Sequence, residues 1–316
     1  MINADKPHLW KADTQASVHL YNTWFLAAAP RAYRESRAKS TADVERALDL
    51  THDARAISAA VLKAHPEILP VLRMSTSPPL ARDRIAGLAY ADRGLVMALE
   101  EGHVPRRSDG THVEEQIQRM CVVINRLLDT DLFSWLGTPE AEDHDRIRSL
   151  AATVVADRLV GSVSNPIIRN AQEQRQLSVI GEWLELRHFV RQPHPSNKPL
   201  TGMPPGTYAV RQVVVVGDEL RVNIPIDVAI QPHRLRENKL PLLVEAKSAG
   251  DYTNTNKRRK EEATKIRQLR AKYGEEVKLV LFLCGYFDSG YLGYEAAEGL
   301  DWVWEHRIDD FEQAVL

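Results

Sequence analysis

Cysteine is nearly missing from this chain: Cys121 and Cys284 are the only two in 316 residues, far apart and in no ligand-like spacing. That argues against a zinc site and fits a reducing, cytoplasmic setting. Long apolar runs are missing as well. The stretch Trp24-Phe-Leu-Ala-Ala-Ala29 falls far short of the roughly 20 residues of a membrane span. Acidic and polar residues precede it, so neither a membrane helix nor a signal peptide is expected. The eleven histidines contain no His-Glu-x-x-His pair. No glycine-rich loop ends in Lys-Ser/Thr, no dinucleotide fingerprint occurs, and there is no Gly-x-Ser-x-Gly elbow. Zinc hydrolases, P-loop enzymes, nicotinamide enzymes and elbow-type serine hydrolases are disfavoured together.

Net charge is close to zero too, at −2, but it is unevenly spread. From Gln231 to Lys272 there are 12 Lys+Arg against 5 Asp+Glu, or +7, and from Tyr273 to Leu316 there are 2 against 10, or −8. A local basic block is what a phosphate backbone responds to, whatever the total. A solvated basic helix explains the same block without any nucleic acid.

What is present is an ordinary globular composition, 44% hydrophobic and 27% charged, long enough for one large domain or two. The first 160 residues read as helical. Thr41 followed by Asp43 and Glu45 resembles a capped helix start. Ile117, Met120, Cys121, Ile124, Leu127 and Leu128 recur at helical spacing, which predicts a buried helix over 112–135 and gives Cys121 a core role. Asn165-Pro166 reads as a second helix start, leading a helix over 166–187. A proline-rich connection over 192–206 follows, then strands over 207–216, 221–230 and 240–247, a helix over 257–273 ending at Gly274, and a strand over 277–284.

The second and third strands carry the anomaly. Asp227 lies among Ile224, Ile226, Val228 and Ile230, and Glu245 and Lys247 end a Leu-Leu-Val run. Regular alternation would turn Asp227 away from the isoleucines and put Glu245 and Lys247 on one face. If the strands are neighbours, two carboxylates and a lysine converge at the edge of a hydrophobic sheet. Such carboxylates raise each other's pKa unless a cation lies between them, and a divalent metal on oxygen ligands resolves that. Spacing alone also admits Asp227 with Glu237 and Lys239, or Asp251 with Glu276 and Lys278; only Glu245-Ala246-Lys247 sits in a buried strand. A cross-strand ion pair is the bland alternative.

Asp227 with Glu245-Ala246-Lys247 resembles the PD-(D/E)xK nuclease motif, with Ile226 in the proline position. The run KSAGDYTNTNKRRKEEATK after it, together with Phe282–Glu295 and Asp301–Asp310, resembles XamI-type type II restriction endonucleases. Pro79–Leu88 is similar to segments of restriction enzymes more loosely. The resemblance implies an α/β fold: a mainly helical N-terminal region, 1–160, with a recognition or dimerisation role, then a PD-(D/E)xK core, 161–316, with a mixed central sheet flanked by helices. It implies Mg²⁺, with Mn²⁺ able to substitute, held by Asp227, Glu245 and the Ala246 carbonyl. Glu173 on the preceding helix is the extra carboxylate, with Glu182 in reserve. Lys247 is the catalytic lysine. Ser248, Asn254, Thr255, Asn256, Lys257, Arg258 and Arg259 are the expected DNA contacts. The implied activity is sequence-specific hydrolysis of double-stranded DNA by a cytoplasmic homodimer paired with a DNA methyltransferase. GTCGAC is the suggested site, with 5′-phosphate and 3′-hydroxyl ends. A structure-selective nuclease of the same fold and a non-catalytic DNA-binding module are the competing readings.

Overall fold

The computed structural model describes residues 1–105, 110–137, 143–195, 198–217, 221–234 and 239–315; the side chains at 110, 162–165, 167, 253, 254 and 256–259 fall outside that description. The fold is α/β, with helices preceding a six-stranded mixed sheet. The chain divides into two compact units, Arg31–Ile167 on one hand and Met1–Pro30 with Ile168–Leu316 on the other. A single boundary near residue 160 does not contain this division, because the first thirty residues belong with the sheet.

The unit Arg31–Ile167 is helical. It takes the second half of α1 (Pro7–Leu50), then α2 (Ala59–Ala64), α3 (Leu69–Met74), α4 (Arg82–Leu88), α5 (Arg93–Glu100), α6 (Gly110–Leu127) and the first half of α7 (His144–Glu185). Ile117, Met120, Cys121 and Ile124 form the buried stripe of α6, as the spacing predicts. The helix ends at Leu127 instead of continuing to Trp135. Beyond it the backbone turns to pair with residues 75–77, through Ser77 N–H to Leu127 O at 2.8 Å and Asp129 N–H to Ser75 O at 3.0 Å.

Two expected helix starts are interior positions. Thr41 lies inside α1, and its hydroxyl donates to the Arg37 carbonyl one turn back at 2.9 Å, the mid-helix alternative to capping. Helix α7 runs through Pro166, so Asn165-Pro166 starts nothing. An interior proline removes one backbone hydrogen bond, which a 42-residue helix outweighs with the rest of its ladder.

The other unit is built on β1 (Val190–Arg191), β2 (Thr207–Val216), β3 (Val222–Gln231), β4 (Leu242–Ala249), α8 (Tyr252–Tyr273), β5 (Leu279–Gly285), α9 (Ser289–Ala297), β6 (Asp301–Trp304) and α10 (Glu312–Val315). The strands lie side by side in chain order. β2, β3 and β4 form an antiparallel meander, while β4, β5 and β6 are parallel, with helices in the crossovers. β5 is buried along its whole length, which is why it reads as an unbroken apolar run with Cys284 inside it. One face packs on α7 through Leu177, Ile180 and Leu184, against Val228, Val244 and Phe282. The other packs on α8 through Ile266 and Leu269, against Ile226, Ala229 and Leu243. α8 begins at Tyr252, five residues earlier than expected, and ends at Gly274, whose φ of +94° favours glycine.

The N-terminal segment is stitched to the C-terminal one by the acidic residues there. Asp301 accepts the backbone N–H groups of Ile2, Asn3 (2.9 Å) and Ala4 (3.0 Å). Arg307 grips Asp13 with bonds of 3.0 and 2.9 Å. Ser17 accepts the Gly285 N–H at 2.8 Å.

Candidate active site

Strands β3 and β4 pair at Ile230–Leu242, Ala229–Leu243 and Val228–Val244, and then the ladder stops. The next positions in register are Asp227 and Glu245. Instead of a backbone bond, the Asp227 carboxylate reaches across and accepts the Ala246 N–H at 2.7 Å. The ladder between β2 and β3 also skips this level, pairing Val210–Val228 and Gln212–Ile226 but not Arg211 with Asp227. Arg211 has φ +53°, a conformation that is strained for a non-glycine residue.

Alternation slips at this point. Ile224 and Ile226 pack with the α8-side cluster, whereas Val228 and Ile230 pack with the α7-side cluster. The four residues therefore do not share one face, as strict period-2 reading expects. The slip falls where both ladders are interrupted, at Asp227 and opposite the left-handed backbone of Arg211.

On β4, Glu245 and Lys247 share the α8 face, with Lys247 Nζ 3.1 Å from Glu245 Oε1. The second Glu245 oxygen meets Lys265 of α8 at 2.8 Å, and Lys265 also donates to the Pro225 carbonyl at 3.0 Å. Lys247 has a further partner in Glu262 of α8, at 2.7 Å. On the α7 side, Gln176 donates to the carbonyls of Lys247 (3.4 Å) and Phe282 (3.3 Å), holding the ends of β4 and β5.

Electrostatics follow from burial and crowding. The Asp227 carboxyl is pushed up to about 6, first by burial and then by the charge of Glu245, with Glu173 adding to the rise; the Ala246 N–H and Lys247 pull the other way. Burial would lower Lys247, but Glu245 and Glu262 overcome it and hold the ammonium well above its ordinary range. Cys121 and Cys284 are fully buried and their thiols are pushed up by burial, Cys121 to about 11, so neither is a nucleophile at neutral pH.

Asp227, Glu245, Ala246 and Lys247 are thus brought together. Glu173 is close enough to Asp227 to raise its pKa and is ion-paired with Arg211 at 3.2 Å. Glu182 is an exposed residue nine positions further along α7, about 13 Å by helical rise. The rival sets do not assemble. Lys239 pairs with Glu276 at an exposed position, Asp251 and Lys278 are exposed, and Glu237 lies outside the described residues.

Ser248 is half-buried on β4. Thr255 is buried, and its hydroxyl donates to Tyr252 O at 2.8 Å, so it faces inward and not toward the surface contact expected of it. The side chains of Asn254, Asn256, Lys257, Arg258 and Arg259 lie outside the described residues. The basic block is also partly neutralised in place by the acidic tail, through Lys239 with Glu276, Arg267 with Glu298 (3.6 Å) and Arg270 with Glu275 (3.8 Å).

Sequence reasoning missed Glu262, Lys265, Gln176 and Arg211. Glu262 carried a signal, because it falls on the helical stripe of Ala263, Ile266 and Leu269, where an apolar residue is the rule. Gln176 sits in the same way beside Leu177 and Ile180. Lys265 is one basic residue among many.

No solved structure matches the chain. The family model described as XamI restriction endonuclease matches residues 52–304. The chain is 58% identical over 314 residues, 99% of each chain, to the type II restriction enzyme SalI of Streptomyces albus G. A model match over most of the chain, and a full-length relative at that identity, place this chain in the XamI restriction endonuclease family.

Proposed function

We propose that the chain is a type II restriction endonuclease, hydrolysing phosphodiester bonds of double-stranded DNA at a specific sequence with a divalent cation. The observation that carries this reading is the opening between β3 and β4. There Asp227 replaces a ladder hydrogen bond, and Asp227, Glu245 and Lys247 converge beside the Ala246 backbone.

The donor set fits a hard divalent cation. Two crowded carboxylates, with Asp227 pushed up first by burial and then by the charge of Glu245, are relieved by a cation between them. Among the described residues no three acidic, His or Cys side chains gather as a metal cluster, and the proposed set takes a backbone oxygen beside its two carboxylates. In an extended strand the N–H and C=O of one residue face the same edge, and the Ala246 N–H faces Asp227. Asp227, Glu245 and the Ala246 carbonyl would hold Mg²⁺, or Mn²⁺ in its place, with Glu173 as the outer carboxylate. The metal would supply Lewis acidity to the scissile phosphate and its attacking water. Lys247 orients that water and stabilises the charge that develops on the phosphate, leaving 5′-phosphate and 3′-hydroxyl ends.

DNA contacts are assigned to Ser248 and to Asn254, Asn256, Lys257, Arg258 and Arg259 around the start of α8, the basic side chains on phosphates and the amides on base edges. Recognition of a palindrome calls for a two-fold homodimer, with the helical N-terminal region serving recognition or dimerisation. GTCGAC is the proposed site, and a methyltransferase of the same specificity the functional partner in the cytoplasm. No helix of the described residues is long and apolar enough to cross a membrane.

Digestion of a plasmid carrying GTCGAC, with Mg²⁺ and with EDTA, tests the reading. Discrete fragments in Mg²⁺ alone, ending within GTCGAC, are expected. Random nicking, cleavage confined to branched junctions, or DNA binding without cleavage would overturn it.

A further inference from the structure

Glu262 and Glu295 are buried carboxylates that the reaction as described does not use. Glu262 is 1% exposed and Glu295 fully buried, on the inner faces of α8 and α9. Glu262 occupies the stripe of Ala263, Ile266 and Leu269 that seats α8 on the sheet. A leucine would serve that packing without a desolvation cost, and buried ion pairs are a poor source of stability. The charge therefore has another use, and its contact shows which: Glu262 Oε1 is 2.7 Å from Lys247 Nζ.

We infer that Glu262 is a positioning residue for the reaction, holding the Lys247 ammonium from behind so that it does not collapse onto Glu245. This rests on the reading of Lys247 as the catalytic lysine.

The geometry makes the need plain. A lysine ammonium is a point charge on a flexible stem with three donors. With Glu245 as its only acidic neighbour, Lys247 would seat fully on the carboxylate assigned to the metal. Glu262 takes one donor from the α8 side at a shorter distance than Glu245 does, 2.7 against 3.1 Å. A third donor is left for the water or the phosphate. Lys265, one turn along from Glu262, neutralises the other oxygen of Glu245 and keeps the cluster in charge balance. Glu295 backs Glu262. Its carboxyl is pushed up to about 8, by burial first and then by the charge of Glu262.

A double-mutant cycle in single-turnover cleavage tests this, with Glu262→Gln, Lys247→Ala and the pair, alongside binding of the same duplex in Ca²⁺. Glu262→Gln should lower the cleavage rate constant by about 30- to 300-fold, with DNA affinity unchanged within threefold. In the Lys247→Ala background it should have no further effect, because a residue acting through Lys247 has nothing left to position. Melting temperature identifies a folding defect; if the glutamine variant is unfolded, Glu262→Asp, which keeps the charge but withdraws it by one methylene, carries the same comparison. A wild-type rate in Glu262→Gln, or a loss that multiplies that of Lys247→Ala, would overturn the inference. Wild-type cleavage by Lys247→Ala itself would remove the underlying reading, a different and recognisable result.

Discussion

Two buried charge clusters, one in each unit of the molecule, are put together in opposite ways. In the helical unit Arg73, 6% exposed, meets Glu100 at 2.5 Å and also donates to Leu80 O, while Arg82 takes the other oxygen of Glu100. Cations there match or exceed anions, and the cluster is closed. In the sheet unit Asp227, Glu245, Glu262 and Glu295 face Lys247 and Lys265. Four carboxyl groups meet two ammonium groups, and two of the four are pushed toward their neutral forms. A closed cluster is a structural device. One with surplus negative charge beside an interrupted strand ladder is where the cation site is proposed.

The comparison breaks most visibly if the two buried pairs are replaced by apolar residues. Lys247→Met with Glu262→Leu should abolish cleavage, a loss of about 10³-fold or more in rate constant, with the fold retained. Arg73→Met with Glu100→Leu should leave cleavage within a few-fold of wild type. Gel assays of both pairs on one plasmid decide the matter, and equal losses would erase the distinction between them. Arg73→Met alone should instead cost about 3 kcal/mol in urea unfolding, because Glu100 stays buried with only an exposed arginine as partner.

Much of this was legible in the sequence. The apolar runs give β2 to the residue and the strands of Asp227 and Glu245 to within two, and of the three candidate sets it is Asp227, Glu245 and Lys247 that the structure brings together, because burial of a Leu-Leu-Val run distinguishes a strand from a loop. The helices were less legible. Thr41 and Asn165-Pro166 look like helix starts, yet tertiary packing carries α1 and α7 straight through them. Nothing along the chain pairs its two ends, yet Asp301 accepts N–H groups of the first residues and Asp13 accepts from Arg307, contacts between residues about 300 positions apart. The slip in alternation at Asp227 falls opposite the left-handed backbone of Arg211 on another strand, which no periodicity along β3 reveals.

Smaller effects sharpen the picture. Gly285 has φ +108°, and a Cβ there would lie 2.1 Å from Ala249 O, at the end of the strand that carries the site. Gly285→Ala should cost about 2–3 kcal/mol by denaturant unfolding and lower cleavage through disorder of β4. The raised carboxyl of Glu295 gives a pH signature. A group with its folded pKa above the unfolded value favours folding fully below about 4.3 and loses that contribution as pH rises toward about 8. Wild type should therefore lose stability relative to Glu295→Gln between pH 5 and pH 8, by no more than about 1.4 kcal/mol per pH unit. Melting curves of the two proteins across that range would show the gap widen, and parallel curves would remove Glu295 from the cluster's charge balance.

The most direct test of the central claim is Mn²⁺ binding, read from the EPR signal of the free ion, in wild type, Asp227→Asn and Arg73→Met bound to duplex DNA. The account predicts that Asp227→Asn weakens Mn²⁺ binding by at least tenfold while Arg73→Met leaves it unchanged. Equal Mn²⁺ affinity in wild type and Asp227→Asn would contradict the assignment of the metal to the opening between β3 and β4.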